Sequence, residues 1–398
     1  MLQQEQIEAL TDKVVTNYQK LNITVLNNIG VNLKKVGTLS EKDARKLIQM
    51  AKYGQDITAM ETLISKTSKQ SIKQVDTMLT QIAQSEYDGA SYLYKAQGIK
   101  QLPYTDNKAL VQKVSVIAKA TENTLKDLTK TTTLGVVIKD VSTGKYGFET
   151  LGNTYKQLLD NALYERLSGV YNYDTAMSRV LRQLGNSGIK KMYYDNEGKQ
   201  AYARRLDTSI RQNMQYAMKQ TAMATQDIIG EQVGADGWEV SYHPAPRVSH
   251  EGMGGEQYAD SGNGVTVKGI YYPPFGDVEG LLDDYNCLHT KFAIVLGIST
   301  PTYKSKELAE YKANDKRKIE YEDKKYSVYE AKQVQRKLET KIRIQQDNYL
   351  LAKKTGTQSL MDSSKSNIDK YVSEYNKFSK NGNLQMKKER MKVYGYKL

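Results

Sequence analysis

Cysteine occurs once in the 398 residues, at Cys287, so no disulfide can form within the chain and a reducing compartment is the simplest expectation. Long apolar runs are missing as well. No stretch of about 18 apolar residues occurs, so no membrane-spanning segment is expected. The opening MLQQEQIEALTDK has neither a basic start nor an apolar stretch, so no signal peptide is expected. Proline is scarce: there are six, and five of them fall between Pro244 and Pro301, with Pro103 the exception. Because proline breaks helix interiors, the rest of the chain is free to be helical. There are three histidines and one tryptophan, and all of them lie between Trp238 and His289.

Charge is plentiful and uneven. The net is +13. Residues 1–235 carry 31 Lys/Arg against 23 Asp/Glu, residues 236–300 carry 3 against 9, and residues 301–398 carry 24 against 13. A basic tail beside an acidic middle suggests two kinds of surface. Such a tail could face nucleic acid, because neutralised phosphates release counterions, or it could be a solvated helix face. Tyrosine reaches 30. Its ring buries area while its hydroxyl stays wet, which suits interfaces; an AT-rich genome would produce the same excess.

Hydropathy patterning divides the chain into four parts. Residues 1–130 form an N-terminal helical region. Residues 131–235 form a second helical region with a short extended insert. Residues 236–300 form a small α+β domain with short strands, and residues 301–398 a basic helical tail. The fold class expected is mainly α. Ser40-Glu41-Lys42-Asp43 reads as a capping box ahead of Leu47, Ile48 and Ala51, with Gly54 as the stop. Thr58-Ala59-Met60-Glu61 repeats the signal, which predicts two short helices in a hairpin, either a packing unit or a DNA-reading helix-turn-helix. Val136, Val137, Ile138 and Val141, followed by Ser142-Thr143-Gly144, predict a hairpin or irregular crossover within 134–150. Asp174 is placed to cap a helix over Thr175–Leu184 that Gly185 closes. A longer helix is predicted from about Tyr202 to Ile229, with Leu206, Ile210, Met214, Ala217 and Thr221 as its apolar stripe and Gly230 and Gly234 as stops. In the tail, Tyr321, Val328, Ile342 and Tyr349 share one heptad phase, and Ala331 and Leu338 another. Together they predict a narrow seam that Gly356 ends, suited to packing on its own domain or on a second chain. A last, partly helical basic segment is expected from Asn367.

The segment from Trp238 to His289 holds the chemistry-bearing residues. Trp238, Val240 and Tyr242 alternate onto one face of a strand. His243-Pro-Ala-Pro-Arg247-Val-Ser249-His250 follows, then a glycine-rich loop at Gly252, Gly254 and Gly255, a Val265–Val267 strand, and Asn286-Cys287-Leu288-His289. Three readings are open. Imidazole and thiolate suit zinc, so His250, Cys287 and His289, with His243 nearby, could hold a metal, although no Cys-x-x-Cys pair supports them. Cys287 with His250 or His289 as base could be a nucleophile. Lastly, the His and Arg side chains could tie the loops together by hydrogen bonds, because buried polar groups need partners. The glycine runs lack the Lys-Ser/Thr of a phosphate loop and the strand–loop–helix setting of a dinucleotide site, so both are rejected.

In this order, His243-x-x-x-Arg247-x-Ser249-His250 and Asn286-Cys287-Leu288-His289 resemble the phage minor capsid protein 2 family of phages and prophages of Gram-positive bacteria. The charged stretch Gln335–Arg343 and the helical runs around Tyr171–Leu184 and Asp207–Ala224 are similar as well. Leu288 stands where that family has arginine, and Met253-Gly254 where it has tryptophan-glutamine. The resemblance implies a minor structural or assembly protein of a tailed-phage head and no enzyme. It places the chain in the virion head, and in the host cytoplasm during assembly. The partners it implies are portal and major capsid proteins, with packaged DNA met through the basic tail. His243, Arg247, Ser249, His250, Asn286, Cys287 and His289 are then a structural motif without a cofactor. The alternative is a metal-dependent hydrolase or nuclease with zinc on His250, Cys287 and His289.

Overall fold

The computed structural model describes residues 4–52, 55–139, 144–168, 173–285 and 287–397. The fold is mainly α with short antiparallel strands, as expected. The chain divides into two compact units. The first takes in Met1–Thr11, Lys73–Asn123 and Gln212–Gln333, and the second Asp12–Ile72, Thr124–Arg211 and Val334–Leu398. No helix among the described residues is long and apolar enough to cross a membrane.

The N-terminal region consists of α1 (Gln4–Thr38), α2 (Glu41–Lys52), α3 (Gln55–Gly89), α4 (Ser91–Ala96) and α5 (Lys108–Leu128). Ser40 caps α2 as its sequence predicts: the Asp43 amide donates to Ser40 Oγ at 3.2 Å, and the Ser40 hydroxyl donates to the Asp43 carboxylate at 2.6 Å. Gly54 lies outside the described residues. The second short helix is corrected. Thr58 lies inside α3, which runs for 35 residues, so no compact helix–turn–helix hairpin forms. Nothing between Gln55 and Gly89 breaks a helix, and buried residues recur along it at Met60, Ile64, Val75, Leu79 and Ile82.

The expected hairpin within 134–150 is present as β1 (Leu134–Lys139) and β2 (Tyr146–Thr150), with Val136 opposite Glu149; the intervening Val141, Ser142 and Thr143 lie outside the described residues. It belongs to a four-stranded antiparallel sheet ordered β2-β1-β3-β4, completed by β3 (Lys190–Tyr194) and β4 (Gln200–Arg205), which the sequence did not suggest. Between them run α6 (Leu151–Ser168) and α7 (Tyr173–Ser187). That helix, α7, already begins at Tyr173, ahead of Asp174, and Gly185 is helical; the helix continues to Ser187. Gly185 is needed for close approach, since a Cβ there would lie 2.1 Å from Asn348 Oδ1.

The helix expected from Tyr202 begins instead at Leu206: α8 spans Leu206–Val233. Tyr202 is held in β4 opposite Tyr193, their rings stacked 4.8 Å apart, and this non-local pair overrides local helix preference. The predicted stripe is correct, for Leu206, Ile210, Met214, Ala217 and Thr221 are all buried. Gly230 stays helical, and Gly234, at φ +64°, follows the last turn.

In the first unit a three-stranded antiparallel sheet, ordered β6-β5-β9, contains β5 (Gly237–Val240), β6 (Gln257–Ala259) and β9 (Lys291–Ile294). The predicted Val265–Val267 strand is β7, paired with β8 (Ile270–Tyr272), and α9 (Gly276–Leu282) follows. Ala259, Tyr272, Ile294 and Leu296 form the core beside this sheet. Next come α10 (Ser305–Lys316), then the hairpin β10 (Lys318–Tyr321) and β11 (Lys324–Ser327). Tyr321 thus pairs with Lys324 in a strand and is not part of the helical seam.

The tail helices are α11 (Val328–Thr355) and α12 (Gln358–Asn381), so the last helix starts well before Asn367. Val328, Ala331, Leu338 and Ile342 are buried, while Tyr349 is half-buried. In the second unit Leu338 and Ile342 pack against Tyr375 and Met391, so that part of the seam closes on its own chain. A buried ionic network lies beside them. Arg205 reaches Asp207 at 3.2 Å and Asp347 at 2.8 Å, and Asn22 donates to Asp347 at 3.2 Å. Burial pushes the Asp207 carboxyl up, but the charges of Arg205, Arg343 and Arg211 outweigh it and hold the group down at about 2.

Candidate functional site

The His243–His289 segment is organised by the pairing of β5 with β9. Val240 lies opposite Lys291, and the ladder continues one step further: the Ser241 amide donates to the Thr290 carbonyl at 2.8 Å, and the Thr290 amide donates to Ser241 Oγ at 2.8 Å. The antiparallel register therefore brings His243, just beyond β5, beside His289, just ahead of β9. Their rings meet edge-on with centroids 5.0 Å apart. His250 arrives from the other side, on a single 3₁₀ turn over Val248–His250, and stacks 5.7 Å from His289. The structure thus unites all three histidines.

The strand itself departs from the one-faced alternation expected. Trp238, Glu239, Val240 and Ser241 are all buried, as in a strand covered on both faces. Glu239 is satisfied there by Gln257 Nε2 at 2.8 Å and by the Thr302 amide at 3.1 Å. Tyr242 lies past the strand end, where its hydroxyl donates to Asp315 at 2.6 Å.

His250, Ser249, Cys287, His289 and Arg247 have defined partners. His250 Nε2 faces the Leu281 carbonyl at 3.1 Å, which accepts only, so this nitrogen carries the proton. Its Nδ1 then accepts from the Ser249 hydroxyl at 2.9 Å. Burial, followed by the Arg247 charge, lowers the His250 pKa below the ordinary imidazole range. Cys287 Sγ lies 3.4 Å from His289 Nδ1. Burial raises the thiol, while burial and the surrounding His243, His250, Lys219 and Arg247 lower His289 to about 2. A protonated thiol therefore donates to a neutral imidazole, the reverse of the thiolate–imidazolium arrangement that an activated nucleophile uses. Cys287 is also only 5% exposed. Arg247 Nη1 pairs with Asp284 at 2.9 Å on the partly exposed rim. Asn286 lies outside the described residues.

The glycine-rich loop lies against this cluster. The Gly255 amide donates to the Val240 carbonyl at 2.7 Å with φ +80°, and a Cβ there would lie 2.4 Å from Leu308. Only glycine meets both conditions. Gly254 passes close to the imidazole: a Cβ on it would be 3.3 Å from His289 Nε2.

Two buried lysines beside the cluster escaped sequence reasoning. Lys219, in the middle of α8 and 3% exposed, donates to the Leu282 carbonyl and, at 3.2 Å, to the Asp284 carbonyl. It anchors the end of α9 and the start of the Cys287 loop. Lys291 pairs with Asp227 at 2.6 Å and places its ammonium 4.1 Å from the Trp238 ring centroid. Nothing in the spacing marked Lys219, which lies off the predicted Leu206–Thr221 stripe. Lys291 was not marked either, because no strand was read there.

Chemically, the cluster ties loops together through the His250–Leu281, Ser249–His250, Cys287–His289 and Arg247–Asp284 contacts. A metal on His250, Cys287 and His289 would require His250 to release the Leu281 carbonyl or the Ser249 hydroxyl. Among the described residues no group of three or more His, Cys, Asp or Glu is arranged to hold an ion. The model of one family, phage minor capsid protein 2, matches residues 2–380. No curated protein and no solved structure matches the chain.

Proposed function

Since the chain belongs to the phage minor capsid protein 2 family, and is in that sense a structural protein of the phage head, we propose that it is an assembly component held near the portal or the capsid interior. The observation that carries this reading is the match over 2–380, which includes the helical arms as well as the histidine segment. The site chemistry supports it. Side chains that tie β5, the glycine loop, α9 and the Cys287 loop to one another make a rigid element, and rigid elements suit a protein that presents fixed surfaces to neighbours. Under this reading His243, Arg247, Ser249, His250, Cys287 and His289 stabilise the first unit and do not turn over a substrate, and the chain needs no cofactor. Packaged DNA is a further partner, met through basic surface.

The test is co-expression with the portal and major capsid proteins of the phage or prophage that carries it. Co-purification with either, retained by a Cys287→Ala, His289→Ala variant that still folds, is the expected result. Stoichiometric zinc in the purified protein, lost in that variant together with a hydrolytic activity, would replace this reading with the metal-dependent hydrolase.

A further inference from the structure

The charges are segregated between the two units. The second unit has 39 Lys/Arg against 20 Asp/Glu, a net of +19, and the first has 19 against 25, a net of −6. The basic excess therefore extends well beyond the tail. Residues 301–333 belong to the first unit, whereas 12–72 and 124–211 bring 24 of the second unit's basic residues.

One corner of the second unit gathers this charge: the turn at Gly356 between α11 and α12. Gly356 has φ +70°, and a Cβ on it would lie 2.9 Å from Lys34 Nζ, which puts the α1 ammonium against the turn. Lys353 and Lys354 occupy the last turn of α11. From α7, Ser178 Oγ is 3.3 Å from Ser359 Oγ, and Arg182 donates to Ser363 at 3.3 Å. Lys34, Arg182, Lys353 and Lys354 are thus brought to one corner, and all four are exposed. The acidic group facing them from α12 is Asp362, which accepts from Gln358 at 2.7 Å. These four cations, within a body of net +19, are the electrostatic complement of a phosphodiester backbone.

We propose that the second unit binds duplex DNA through its phosphates, with the α11–α12 corner as the contact. The proposal rests on the head-protein reading for the choice of polymer and extends the contact from the tail helices to α1 and α7 of the same unit. Lysine and arginine on such a surface neutralise phosphates without reading bases, so binding is sequence-independent and steeply salt-dependent.

The experiment measures binding of the full chain to a duplex of random sequence by fluorescence anisotropy over a salt series. One triple variant, Lys34→Glu, Lys353→Glu and Lys354→Glu, changes the corner. A second, Lys304→Glu, Lys306→Glu and Lys316→Glu, makes the same charge change on exposed positions of the first unit. Circular dichroism verifies that both fold. The corner triple is expected to weaken binding by tenfold or more and to flatten the log–log salt slope by about 3. The first-unit triple is expected to stay close to the parent. Equal losses in both triples, or binding indifferent to salt, would overturn the proposal. Failure to bind DNA while co-purification with head proteins persists would sink this inference alone; DNA binding as described without head association would sink the head-protein reading alone.

Discussion

Acid should loosen the first unit through His289. This imidazole is 4% exposed and sits between His243 and His250, with its pKa driven down from 6.5 to about 2. In the unfolded chain it titrates near 6.5. Between those values the unfolded state therefore holds a proton that the folded state refuses. Stability from the neutral ring is complete above about pH 6.5 and is lost progressively as pH falls toward 2. One proton corresponds to about 1.4 kcal/mol per pH unit, so lowering pH from 7 to 5 removes about 2 kcal/mol. His250 is lowered too and adds to the slope in the same direction. Such a loss is a sizeable part of the roughly 5–15 kcal/mol that holds a domain folded. Trp238 is the only tryptophan and lies in β5 of this unit, so its fluorescence reports the unit directly. Urea midpoints read at Trp238 should fall from pH 7 to pH 5 in the native protein. A His289→Gln variant, less stable at pH 7, should show a distinctly shallower slope. Equal slopes in both proteins would refute the account of the cluster as a neutral, buried tie.

Two further outcomes follow from the same geometry. Cys287, buried and with its thiol raised, should resist thiol reagents in the folded protein and react at a rate set by unfolding; immediate labelling would show an accessible thiolate instead. Arg205→Met leaves Asp207 and Asp347 without their shared cation inside the second unit, so it should cost about 3–5 kcal/mol in a denaturation midpoint; a change near zero would mean that water reaches the network.

Much of the helical framework was legible because its cues are local. Ser40 caps α2 in the way its side chain predicts, and the Leu206–Thr221 stripe buries as a stripe. Pairing between distant segments was not legible. Tyr202 reads as the start of a helix until Tyr193 is set opposite it, and Thr58 reads as a cap because nothing local reveals that α3 passes straight through it. Tyr321 fits a heptad by phase yet lies in a hairpin. The candidate site was found by residue type, since every histidine and the cysteine fell in one segment. Its chemistry depended on partners that no spacing encodes: the Leu281 carbonyl that fixes the His250 tautomer, and Lys219, which approaches from α8.

Membership of the phage head is tested most directly by deleting the gene from the phage or prophage that carries it and examining the particles. Mass spectrometry of purified wild-type heads should find the protein in a low, fixed copy number, and the deletion should lower infectivity or DNA content, with rescue by the native gene. Wild-type heads without the protein, together with deletion particles unchanged in number, DNA content and infectivity, would contradict the account.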